Sequence, residues 1–463
     1  LGNANDVYVS HDNSSVTGSS TDKNTLVLKV DSVAGATGNL INISQLGAAT
    51  LTTKVTGTGN YIKVSQTVTE NKRTASTINV GTENATSAVS NSNLLDITLN
   101  DSAMTLDIQG ASNNVYATID QSTSSASTQR SAFNIDIDGN TNNVDLLEST
   151  HASSTATTTR DLLINGDGNW FYYNSVGNEA TINADIIGNT NQVISNLSSP
   201  AGGPANVTYG ISGNTNRITD NLVNDTVTNY NVVGNENGIS TTVSGSSSTS
   251  NNILYDIDAN YQNIVTNVNG SSNDVDFDID STDVSSGADT DLDITGSSNI
   301  VNTSLNGNTI STDLDFTGSS NKLYASITGA SSVLDVNING SSNIVGSSTS
   351  SLGITGSNKS NIGLNITGNS NNVTASSAWS GSASTVAPLD IDIYGNSNTL
   401  VVAQATEYAL DIDVGSSSSN ASNFNFSVQY NSSANAYVTS VNSAGSGVVD
   451  INHPSGTIKI TGS

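Results

Sequence analysis

Apolar and polar side chains alternate along most of this chain, in short runs that each stop near a glycine. Ile135-Asp-Ile137-Asp, Leu292-Asp-Ile294-Thr, Leu364-Asn-Ile366-Thr and Ile391-Asp-Ile393-Tyr are typical. A period of two marks a strand with one buried face. Between Leu292 and Asn343 the runs repeat almost in phase, as Leu292-Asp-Ile-Thr-Gly-Ser-Ser-Asn299, Leu314-Asp-Phe-Thr-Gly-Ser-Ser-Asn321 and Val336-Asn-Ile-Asn-Gly-Ser-Ser-Asn343. Their glycines, Gly296, Gly318 and Gly340, lie 22 residues apart. Returns at one fixed spacing mean a repeating structural unit.

The same phrase recurs at Gly110, Gly139, Gly166, Gly188, Gly213, Gly234, Gly270, Gly368 and Gly395. One gap, from Gly234 to Gly270, is longer, and Asp256-Ile-Asp-Ala259 fills it with alanine at the glycine position. Weaker half-phase turns, such as Leu305-Asn-Gly-Asn308 and Ile327-Thr-Gly-Ala330, halve the unit to about 11 residues, two per coil. Glycine permits the bend at each corner, and the Ser, Thr and Asn beside it are turn formers. Three residues after the glycine stands an Asn, then a spacer, then an apolar residue. Asn113, Asn142, Asn191, Asn299, Asn321, Asn343 and Asn371 occupy that place. They share parity with the apolar residue that follows, so they are expected to point inward and bond one another as stacked amides. The predicted fold is all-β, a parallel β-solenoid with two strand–turn units per ~22-residue coil. Stacked at about 4.8 Å, roughly fifteen to eighteen coils make a rod of about 70–90 Å.

Composition agrees with a thin core. Hydrophobic residues make up 34% of the 463 and charged residues 11%. So little apolar content suits a coil that buries only a few side chains at a time. The net charge is −28, and the first 73 residues hold six basic against five acidic residues, leaving six basic and 35 acidic for the rest. An acidic body repels nucleic acid and anionic membrane. There is no cysteine for a disulfide, thiolate nucleophile or metal site. No apolar run reaches the length of a membrane-spanning helix.

The ends read differently. Val7-Tyr-Val9 and Leu26-Val-Leu-Lys-Val30 are strand-like, so residues 1–35 are expected to be a cap or assembly segment. Residues 36–426 carry the repeats, beginning with Thr37-Gly-Asn-Leu-Ile-Asn-Ile-Ser-Gln45 and its echo Thr58-Gly-Asn-Tyr-Ile-Lys-Val-Ser-Gln66. In 427–463, Asn452-His-Pro-Ser-Gly456 between two apolar runs predicts a hairpin cap. Ser/Thr-rich stretches such as Ser122 to Ser131 are expected to bulge from the coils. The chain starts at Leu1 rather than Met, which fits a removed export signal.

Candidate chemistry is sparse. Asp107, Asp136, Asp185, Asp293, Asp315 and Asp392 stand three residues before the corner glycine, with Asp256 in the same place before Ala259. Alternation turns them outward, either as a solvated acidic face or as a carboxylate ladder able to collect Ca²⁺, a cation that favours oxygen ligands. His11, His151 and His453 are isolated and lie outside the repeats, so no acid/base pair for catalysis is legible. Trp170-Phe-Tyr-Tyr173 is the one dense aromatic cluster. It either fills the core locally or forms an exposed patch for a glycan or a neighbouring subunit.

The Gly-x-x-Asn-x-apolar phrase, the two units per coil and the Ser-Gln pairs ending at Gln45 and Gln66 resemble curlin repeats. Gln121, six residues after Val115, matches the curlin spacing in one coil, with Val in place of Ala. The resemblance covers about residues 36–426. Most coils lack the Gln, many carry Asp, and their lengths vary. The resemblance implies a secreted subunit of amyloid-like fibres with internal Asn and Gln ladders. Together these readings predict a structural subunit of an extracellular fibre or surface layer, self-associating through its ends. A phage virion appendage and a glycan-binding adhesin are the alternatives.

Overall fold

The structure is a computed structural model. It describes residues 6–12, 24–31, 38–46, 49–67, 74–80, 92–100, 102–120, 133–149, 158–176, 180–198, 205–223 and 226–244, then 252–258, 261–270, 272–280, 289–329, 332–346, 352–356, 361–379, 389–395, 397 and mainly short strands between 399 and 460. The chain forms two units, Leu1–Val233 with Asn237–Ser240, and Gly234–Glu236 with Thr241–Ser463.

In the first unit eighteen strands, from Asp6–Asp12 to Thr226–Val233, make nine coils of two strands each. Each strand pairs in parallel with the strand one coil on, so the coil closes on two facing parallel sheets. The register is maintained without slip. In the first sheet Val7 faces Ile41, Ile41 faces Ile62, Ile62 faces Leu95, and Leu95 faces Val115. In the second sheet Met104, Phe133, Arg160, Ile182 and Val207 stack the same way. Alternation sends every second residue between the sheets, where Ile43, Ile97, Leu106, Ile108, Ile135 and Ile164 are buried. The second unit repeats the plan, with Leu292, Leu314, Val336, Leu364 and Ile391 in one inward column.

The N-terminal segment, expected as a cap or assembly segment, has its two strands paired in parallel with the next coil. Asp6–Asp12 pairs with Leu40–Leu46, and Asn24–Asp31 with Ala49–Thr56, both in the register of later coils. At the C-terminus the structure departs from the expected hairpin. Val448–Asn452 pairs in parallel with Asn425–Tyr430, and Ile458–Ile460 in parallel with Ala436–Val438. A turn-forming sequence makes a reversal possible but does not choose the partner. The open edges of the preceding coil offer parallel ladders that continue the stack.

The long gap between Gly234 and Gly270 also has a structural cause. It spans three strands, Gly238–Ser244, Asn252–Asp258 and Asn263–Asn269. Every other glycine-to-glycine interval from Gly110 to Gly395 holds two strand positions, Ile344–Val345 and Leu352–Gly356 sharing one because both pair with Lys322–Thr328. The glycine corner therefore passes to the opposite turn of the coil after Gly234, half a coil out of phase. The corner pattern read at Ala259 is kept by its neighbours: Tyr261 is left-handed (φ 56°) and Gln262 Nε2 donates to the Gly234 carbonyl at 3.1 Å, so the extra strand is Asn263–Asn269. Ala259, Gln121, His151, His453 and the 122–131 excursion lie outside the described residues.

Candidate functional site

The corners come first, because they fix every other position. Gly110, Gly139, Gly188, Gly296, Gly318, Gly340, Gly368 and Gly395 all have φ between +116° and +154°. At Gly318 a Cβ would lie 1.7 Å from the Gly296 carbonyl oxygen, so the stacking distance as well as the dihedral demands glycine. Two residues on, a Ser or Thr takes the left-handed conformation, as at Thr141 (φ 56°) and Ser320 (φ 62°).

The Asn that follows turns inward as expected. In the first unit Asn113 donates through its backbone N and Nδ2 to Asn142 Oδ1, both at 3.0 Å, and Asn142 does the same to Asn169 Oδ1 at 3.0 and 3.1 Å. Asn169 N and Nδ2 reach Asn191 Oδ1, and Asn191 N reaches Asn216 Oδ1. In the second unit Asn299, Asn321, Asn343 and Asn371 form the same chain. Asn39, Asn60, Asn93, Asn169, Asn216 and Asn237 extend the first ladder beyond the residues singled out by sequence. Below it runs a short glutamine pair, Gln66 Nε2 donating to Gln45 Oε1 at 3.2 Å, with His11 at the head of its column.

Two buried polar clusters in the first unit were not anticipated. Arg160, from the second sheet, donates through Nε and Nη2 to Glu148 of the first sheet at 2.6 and 2.8 Å, and Tyr173 OH donates to the same carboxylate at 2.5 Å. All three side chains are sealed from solvent. Burial works to lower the Arg160 pKa, but the Glu148 carboxylate, the Tyr173 oxygen and the hydrogen bond to Glu148 outweigh it, and the net shift is upward. The second cluster centres on Asp220, which accepts from Tyr209 at 2.6 Å and from Tyr230. Since Tyr209 gives its proton to Asp220, Ser195 Oγ donates to Tyr209, at 2.8 Å. Desolvation lifts the Asp220 pKa from 3.8 to about 6, against the hydrogen bonds from Tyr209 and Tyr230 that hold it down. The signal in the sequence was parity. Glu148 stands four residues after inward Val144, and Asp220 two after inward Ile218.

The outward aspartates do not form one ladder. Asp107 faces Asp136 in the first unit, but the next residue in that column is Leu163. In the second unit Asp293 faces Asp315, and Asn337 and Asn365 then separate Asp315 from Asp392. Asn337 Nδ2 donates to Asp315 Oδ1 at 2.8 Å, relieving that carboxylate. The densest patch combines Asp291, Asp293, Asp313, Asp315 and Asp335. Within it partial burial first, and then Asp315, Asp335, Asp291 and Asp293, raise Asp313 to about 6. Asp136 is raised by desolvation and then by Asp138. Among the described residues, no group of three or more His, Cys, Asp or Glu is disposed to hold a metal ion.

Alternation splits the aromatic cluster. Phe171 and Tyr173 enter the core, where Tyr173 meets Phe133 edge-on at 5.2 Å. Trp170 is 41% exposed on the outer face, with Tyr172 half-buried beside it. Asn169 keeps the ladder place and Phe171 the apolar place, so this coil follows the common pattern.

Fold and corners define the class: a parallel β-solenoid repeat protein with internal asparagine ladders. No protein-family model, curated protein or solved structure matches the chain. Among the described residues no helix is long and apolar enough to cross a membrane.

Proposed function

We propose that this protein is a structural subunit of an extracellular fibre or surface appendage, extended by stacking of the coil of Asp6–Asp12 and Asn24–Asp31 against a neighbouring subunit. The observation that carries this reading is the state of that coil. Val7, Val9 and His11 face inward but are only half-buried, whereas their partners one coil on, Ile41, Ile43 and Gln45, are 0, 0 and 2% exposed. Tyr8 and Val27, at 68 and 65%, stand out from the same coil. Among the described residues no strand pairs with the outer edges of Asp6–Asp12 and Asn24–Asp31. A strand edge that no other strand covers is a template for further pairing. A coil from a second subunit stacked there buries the inward row and continues both sheets. The curlin resemblance and the acidic, cysteine-free composition are compatible with such a role outside the cell.

The test is negative-stain imaging and sedimentation of the purified chain across a concentration series. The proposal expects end-to-end filaments that disappear in Val9→Arg, which puts a charge into the docking row. Discrete particles that stay unassociated at high concentration overturn it.

A further inference from the structure

The outer face of the first sheet, between Asn114–Asp120 and Arg217–Val223, departs from the acidic character of the chain. The strands Asn114–Asp120, Asn143–Ser149, Trp170–Val176 and Gln192–Ser198 stack without slip. Their outward positions include Tyr116, Leu147, Trp170 and Val176, which are 48, 44, 41 and 50% exposed; half-buried Tyr172 adjoins Trp170 and Ile194, Asp145 separates Tyr116 from Tyr172, and Asn174 separates Tyr172 from Val176. Exposed apolar and aromatic side chains gathered on one face mark a contact site. In a protein of net charge −28 the centre of this face holds a single carboxylate, Asp145, with Asp120 and Arg217 at its margins.

The rest of the face is mainly amide and hydroxyl, with Thr118, Ser149 and Ser198 among its outward residues. Asn143, Asn174, Gln192 and Asn196 border the aromatic residues. Two of the contacts are already set: Asn196 Nδ2 donates to Tyr172 OH at 3.1 Å, and Asn221 Nδ2 donates to Asn196 Oδ1 at 2.7 Å. These side chains stand on a rigid ladder, so binding a ligand costs little ordering.

The shape and size of the face select the occupant. Seven residues along the strand and four strands across give a flat area of about 20 by 14 Å, roughly 300 Å². A stable protein partner needs about 800 Å² per side, so a second copy of this chain is too large a demand on this patch. The face has too few cations for a nucleic acid or a polyanion. An uncharged, flat polymer remains. Aromatic rings present an electron-rich face to the C–H groups of a pyranose ring, and primary amides donate to and accept from its hydroxyls. Tyr116 and Tyr172 hold the same register position two coils apart, a spacing of about 10 Å and so about two sugar rings.

We infer that this face binds a neutral, flat polysaccharide of the β-1,4-linked type, lying along the stack over Tyr116, Trp170 and Tyr172. The test uses the full chain in depletion assays on suspended amorphous cellulose and chitin, with alginate beads as the polyanionic contrast. Depletion by cellulose or chitin but not by alginate is expected. Tyr116→Ala combined with Trp170→Ala is expected to weaken it by roughly tenfold or more, since each removes one stacking contact. Leu147→Lys, which charges the centre without touching the core, produces a comparable loss. Tyr261→Ala, an exposed aromatic outside the patch, leaves binding unchanged. Wild-type protein that stays in solution with both neutral polymers overturns the inference, as does equal depletion of the double variant. A patch variant that abolishes self-association in sedimentation also overturns it, because the face is then an interface between copies.

Discussion

Replacing Arg160 with methionine probes a fully buried ion pair in the first unit. The substitution keeps an unbranched side chain in the core but removes two charge-assisted bonds to Glu148, at 2.6 and 2.8 Å. Both side chains are 0% exposed, so water does not take the place of the guanidinium. Removing one partner of a buried ion pair typically costs about 3–5 kcal/mol, because the remaining charge is stranded. For Arg160→Met the upper half of that range is expected, since Tyr173 is also hydrogen-bonded to this carboxylate and must adjust with it. The triple variant Glu148→Leu, Arg160→Met, Tyr173→Phe removes the polar groups together and is expected to lie within ~1 kcal/mol of wild type or above it. Urea unfolding of the three proteins gives the differences, and hydrogen exchange over residues 143–176 localises them. Acidification should rescue the single variant in part, because a neutral carboxyl is less costly to bury. A loss below ~1 kcal/mol in Arg160→Met, or an equal loss in the triple variant, refutes the argument that stranded charge sets the cost.

Other perturbations test the corners and the second cluster. Gly318→Ala puts a Cβ 1.7 Å from the Gly296 carbonyl at φ +136°, and a cost of roughly 3 kcal/mol or more is expected by denaturant unfolding. Asn321→Leu removes the acceptor of Asn299 N and Nδ2, at 3.0 and 3.1 Å, and should cost about 2–4 kcal/mol for two stranded donors. Exchange at the Asn299 amide should rise with it. The raised Asp220 pKa has a definite sign. A carboxyl at about 6 in the folded state and 3.8 unfolded is penalised above pH 6, and folding gains as pH falls from 6 towards 3.8. At 1.36 kcal/mol per pKa unit the full effect is about 3 kcal/mol. Comparing unfolding at neutral and mildly acidic pH, wild type should therefore gain more than Asp220→Asn, and equal gains would remove Asp220 as the source.

Local period settled a great deal from sequence alone. Alternation before Gly296, Gly318 and Gly340 determined the strands and which side chains face inward, and Gly-x-x-Asn located both corner and ladder. These are properties of a few consecutive residues, since a strand has period two and a left-handed corner needs glycine wherever it sits. What lies beside a residue in the next coil is decided about 22 residues away, and loop lengths change that distance from coil to coil. Only the folded chain therefore brought Glu148 to Arg160 across the core, separated Asp315 from Asp392 with two asparagines, and grouped Tyr116 with Trp170 on one face. The half-coil shift after Gly234 and the parallel pairing of Val448–Asn452 belong to the same class. Sequence fixes the direction in which each side chain points, because that is local geometry. The tertiary structure chooses its neighbour, because stacking register depends on everything between two corners.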